Sequence, residues 1–139
     1  MMGSYGLGLM MNYGVIKVFS GPQPDAADAA EQGTLLARVT QNGLPFSYAD
    51  QTAGLQLQLG QVAGSVRNLG DWVLTPEADG TPGWWRWCWA NPDAGTAYEL
   101  AARIDGLVGE GLYLQDATLA ASDPPHTLGA FAIYLPAYL

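Results

Sequence analysis

The stretch Gly83–Pro92 reads GWWRWCWANP and places four of the chain's five tryptophans within six residues. Successive side chains of a β-strand point to opposite faces. As a strand, the stretch sets Trp85, Trp87 and Trp89 on one face and Trp84, Arg86 and Cys88 on the other. A tryptophan carries about 150–250 Å² of surface. At about 25 cal/mol per Å², leaving one in water forfeits several kcal/mol. One face must therefore be core, and Trp85, Trp87 and Trp89 are expected to supply it. The other face, with Arg86 placed to lie across Trp84 as a cation–π pair, is expected to be an outer or half-covered surface where a partner touches.

Strand signals continue on both sides of this band. YGVIKVFSG (13–21) and GTLLARVTQNG (33–43) carry Val15, Ile16, Val18, Phe19, Leu35, Leu36 and Val39, and the second ends in an Asn42-Gly43 turn pair. GLQLQLGQV (54–62) alternates Leu55, Leu57 and Leu59 with Gln56 and Gln58, a period of two that turns the leucines inward. DWVLTP (71–76) is joined to the tryptophan band by EADGTPG (77–83), whose Asp79-Gly80 pair predicts a hairpin-like connection. DAADAAEQG (25–33) lacks an apolar stripe and predicts one or two helical turns at most, within a loop. TAYELAARIDGLVG (96–109) suits a helix as well as a strand, whereas GLYLQDATLAA (111–121) and LGAFAIYLP (128–136) are strand-like. Seven to nine short strands separated by turn signals predict an all-β fold, an antiparallel β-sandwich of jelly-roll or immunoglobulin-like type. The expected division is an extended N-terminal arm over 1–14 and the β domain over 15–139.

Only 13% of the residues are charged and 18 are glycine, so the surface has to be built largely from uncharged groups, as in a subunit whose surface is partly covered. The formal net charge is −8, and Lys17, Arg38, Arg67, Arg86 and Arg103 are isolated along the sequence. Binding to nucleic acid or to an anionic membrane needs clustered cations, and neither partner is expected. No apolar run is long enough for a membrane-spanning helix. The opening MMGSYGLGLMMNYG (1–14) has no Lys or Arg and is interrupted by glycines, which argues against a signal peptide. Such a segment is ordered only if the protein's own sheet or a neighbouring subunit holds it.

Reactive groups are sparse. His126, the single histidine, lies in ASDPPHTLG (121–129), where Ser122 and Asp123 are too close in sequence to form a triad with it; a solvated loop histidine is expected. Cys88, the single cysteine, forms no intrachain disulfide and reads as a buried, inert thiol. One Cys and one His do not make a zinc site, and Glu77 with Asp79 lacks the ligand density of a calcium loop. No phosphate- or dinucleotide-binding glycine motif is present. No catalytic residue, cofactor or metal is expected.

Two segments carry a resemblance. IKVFSGPQPDAADAAEQGTLLARVTQNG (16–43) resembles the opening of a group of small tailed-bacteriophage proteins, in which a strand ending in an aromatic-Ser/Thr-Gly step leads through a Pro- and Ala-rich loop to GTLLA. GTPGWWRWCW (80–89) and RIDGLVGEGLYLQDATLAASDPPHTLGAFAIYLP (103–136) are similar to the same group's Trp-aromatic-Arg strand, Asp-Gly-x-Val-Gly turn and closing strand. The resemblance implies a β-sandwich that is a non-enzymatic component of the virion. On this expectation the protein decorates and cements a capsid, or sits at the head-to-tail collar. Its partners are then the major capsid protein or other virion subunits and further copies of itself, on a particle made in the bacterial cytoplasm. Tyr5, Leu7, Leu9, Met10 and Met11 of the arm, with Trp84 and Arg86, are the expected contact residues. The alternative is a carbohydrate- or receptor-binding module of a tail or head fibre, with aromatic rings stacking on sugars.

Overall fold

The computed structural model describes residues 11–47, 53–59, 65–97, 101–109, 112, 114, 117–128 and 132–134. Among them the regular elements are strands: β1 (Val15–Ser20), β2 (Leu35–Gln41), β3 (Leu57–Leu59), β4 (Ser65–Asn68), β5 (Trp72–Pro76), β6 (Pro82–Cys88), β7 (Arg103–Leu107), β8 (His126–Thr127) and β9 (Ala132–Tyr134). Six of them form an antiparallel sheet in the order β7-β6-β1-β2-β5-β8, and three form a smaller antiparallel sheet in the order β3-β4-β9. The ambiguous segment 96–109 thus contributes the edge strand β7 through Arg103–Leu107, and 25–33 is a loop of bends and turns containing an Ala26–Ala29 reversal.

The expected hairpin between β5 and β6 does not form. The β1–β2 pair lies between them in the sheet, so the link 77–81 carries the chain across the end of that pair. Gly80 sits against Leu36, where a Cβ would lie 2.7 Å from the leucine Cδ2, and its backbone bridges to Leu119 instead of closing a tight turn. An Asp-Gly pair favours a local reversal but does not determine which strand the chain pairs with afterwards. The Asn42-Gly43 pair does make a turn. Both residues have positive φ (56° and 73°), and the Leu44 N–H donates to the Gln41 carbonyl at 3.2 Å.

Register aligns the core on one face of the large sheet. Ile16 pairs with Val39 and Trp87, Val18 with Ala37 and Trp85, and Leu74 with Val39, and all are buried. Trp72 meets Trp87 edge-on with ring centroids 6.0 Å apart. Met11, Leu55, Leu112, Leu119 and Leu128 join this cluster, and Leu57 and Trp89 pack against it partly buried. Trp85 crosses the edge strand over Gly106, where a Cβ would come within 2.4 Å of the indole, and its Nε1 donates to the Leu107 carbonyl at 3.1 Å.

Candidate functional site

The opposite face of the same sheet is also closed. Trp84, Arg86 and Cys88 have no exposed surface, so the expectation that Trp84 and Arg86 present a contact to a partner is corrected: both lie inside the chain. The covering material comes from far away in sequence. The loop 21–34 folds back over this face, where Glu31 accepts from Lys17 Nζ at 2.9 Å and the Gln32 carbonyl accepts from Trp84 Nε1 at 3.2 Å. Phe19 stacks on Trp84 with centroids 4.5 Å apart, and the Arg86 guanidinium lies 5.3 Å from the Trp84 centroid, forming the expected cation–π pair in a dry setting. Met11 is likewise buried in the core, and Gly14 bridges to Leu55. Tyr5, Leu7, Leu9 and Met10 lie outside the described residues.

Isolated cations in the sequence converge here through strand register. Arg38 stands opposite Lys17, Lys17 opposite Arg86, and Arg86 opposite Asp105, forming one row across β2, β1, β6 and β7. Arg86 binds Asp105 through two hydrogen bonds of 2.8 and 2.9 Å, with both side chains essentially out of water. One row away, Arg103 grips Asp93 through Nε and Nη2 at 2.7 and 2.6 Å. It also donates to the carbonyls of Ala27, Ala29 and Thr96, tying the covering loop down. Burial pushes the Asp93 carboxyl up, but the hydrogen bonds from Arg103 and the Gly95 N–H outweigh it, so Asp93 titrates below the usual carboxylate range. Four of the five basic residues are thus paired with acids on this face, Arg38 joining Glu77 as the fourth pair.

Past the margin of the covering loop this face opens into a groove of about 660 Å³. Strands β1, β2 and β5 supply Val15, Lys17, Arg38, Thr40 and Thr75 to it, and Glu77 and Asp93 line it from the ends of β5 and β6. The Asn42-Gly43 turn directs Leu44, Pro45 and Phe46 onto it as an apolar lip. Arg38 and Glu77 are its exposed ion pair, at 41% and 36% exposure. Sequence reasoning missed this groove. The signal available was the alternation of polar Arg38 and Thr40 with apolar Ala37 and Val39 in β2, but the register that brings Lys17 and Thr75 alongside could not be read from it.

The reactive residues are placed differently. Burial pushes the Cys88 thiol up to about 12, so it is protonated at neutral pH, in keeping with the inert thiol expected. His126 belongs to β8 rather than to a solvated loop; it pairs with Leu74, is half-buried, and its Nε2 is buried with no hydrogen-bond partner among the described residues. Among the described residues no cluster of three His, Cys, Asp or Glu side chains is arranged to hold a metal ion. No protein-family model, curated protein or solved structure matches the chain.

Proposed function

We propose that the chain is a non-enzymatic structural protein of a tailed-bacteriophage particle, a β-sandwich with an N-terminal arm that decorates the capsid or sits at the collar and works by protein–protein docking. The sequence resemblance supports the setting. The observation that carries the mode of action is that the chain consumes its own reactive and recognition groups internally. Trp72, Trp84, Trp85 and Trp87 are buried, four of five cations are matched to acids, and the thiol is held protonated. Stacking on sugars needs open ring faces, so the burial of these tryptophans favours docking over the carbohydrate-binding alternative. Among the described residues, what remains for recognition is backbone edges, uncharged surface and the groove, the equipment of a subunit among subunits.

The test is mass spectrometry of purified particles of the phage encoding the chain, with copy number set against the major capsid protein. Hundreds of copies mean capsid decoration and about a dozen mean the collar, by the symmetry of closed assemblies. Absence from the particle overturns the reading.

A further inference from the structure

We propose that the groove on the polar face is a docking site for a partner-protein segment that presents a carboxylate beside an apolar side chain. This deepens the docking reading and rests on it. Arg38 is the exposed cation of the groove, and the Leu44–Phe46 lip lies beside it. Its pairing with Glu77 runs through Nη1, which meets both carboxylate oxygens, and Nε and Nη2 have no acceptor among the described residues. A guanidinium presents a planar fork suited to a carboxylate. Half the fork is therefore occupied by the chain's own acid and half is open to the groove. An ion pair this exposed contributes little and exchanges readily, because each member is well solvated when released. Glu77 is thus the internal competitor for Arg38, and an incoming carboxylate takes the open half of the fork or displaces Glu77. Among the described residues around the groove the opposing charge is Glu77 itself, since Lys17 faces Glu31 and Asp93 is neutralised by Arg103. A volume of about 660 Å³ holds two or three side chains. The apolar lip takes the residue next to the acid, and the dry contact there supplies the gain that exchanging one carboxylate for another does not.

The experiment titrates the full chain, isotopically labelled, with a capped Leu-Glu-Phe tripeptide and with its Gln counterpart, following amide shifts by NMR. The expected result is saturable shifts around Arg38, Leu44 and Thr75, with the Glu peptide binding about tenfold more tightly than the Gln peptide. Glu77→Gln removes the internal competitor and tightens binding about threefold, whereas Arg38→Gln abolishes the preference for Glu over Gln. A merely structural Arg38–Glu77 pair gives no tightening in Glu77→Gln. Equal binding of both peptides, shifts confined to other surfaces, weaker binding by Glu77→Gln, or no binding overturns the proposal. None of these results touches the particle measurement, so the site can fail while the docking role stands.

Discussion

Both faces of the six-stranded sheet hold buried side chains, but by different physics. On one, Ile16, Val18, Val39, Leu74, Trp85 and Trp87 interlock with apolar groups, an arrangement that needs volume and shape. On the other, Arg86, Asp105, Arg103 and Asp93 are sealed under a loop, and each buried charge is tolerable only because its partner sits within hydrogen-bond distance. The first face loses stability in proportion to what is removed, and the second when one member of a pair is removed.

Substitutions separate the two cases. Trp87→Ala leaves a large void beside Trp72 and is expected to cost about 3–5 kcal/mol in chemical denaturation, with no second-site change on that face restoring it. Asp105→Ala strands the buried Arg86 guanidinium and costs about 3–5 kcal/mol, at the lower end because Trp84 still faces the cation. Here a rescue exists. The double change Arg86→Met with Asp105→Leu is expected to return to within about 1 kcal/mol of the native protein, since Arg86 Nη1 has no hydrogen-bond partner among the described residues even in the intact pair. If the double variant is no more stable than Asp105→Ala, the two faces do not differ as described. Gly106→Ala pushes a methyl into the Trp85 indole and should cost about 1–3 kcal/mol by the same measurement.

The remaining tests leave the packing in place. The Asp93 carboxyl titrates lower in the folded chain than in the unfolded one. Its pairing therefore stabilises the fold at neutral pH, and that contribution is lost as the pH falls below about 4. Asp93→Asn should flatten this part of the acid-unfolding profile, and an unchanged profile would show that the pair is not coupled to stability. Smallest in energy is the behaviour of Cys88. With its thiol at about 12 it should resist alkylation at pH 8 in the native chain and react at once in denaturant. Rapid native labelling would mean that the covering loop opens freely.

The apolar face was legible in the sequence because period-two alternation reports it directly: Trp85 and Trp87 point into the core as their positions require, and Leu55 is buried and Leu57 packs against the core as GLQLQLGQV predicts. The polar face was not legible. Alternation shows that Trp84, Arg86 and Cys88 share a side, but whether that side meets water depends on the loop 21–34, whose hold comes from Lys17–Glu31 and from Arg103 reaching the Ala27 and Ala29 carbonyls. Those contacts join residues up to 76 positions apart, and no local pattern encodes them. The groove escaped notice for the same reason, since Lys17, Arg38 and Thr75 become neighbours only once strand register is known.

The passage of the chain over the end of β1 and β2 sets a timetable for folding. Those two strands are joined by the covering loop 21–34, and their outer flanks stay unpaired until β5 arrives from about a quarter of a chain length away and β6 from about half, as Val39 with Leu74 and Val18 with Trp85 show. Contacts so distant in sequence are slow to form, in the millisecond-to-second range typical of β folds. Until they form, a bare two-stranded ribbon carries two open hydrogen-bonding edges, which is the form in which strands of different copies pair with one another. The crowding of tryptophan into β6 gives the late-arriving strand a large apolar reward for docking at the first of those edges.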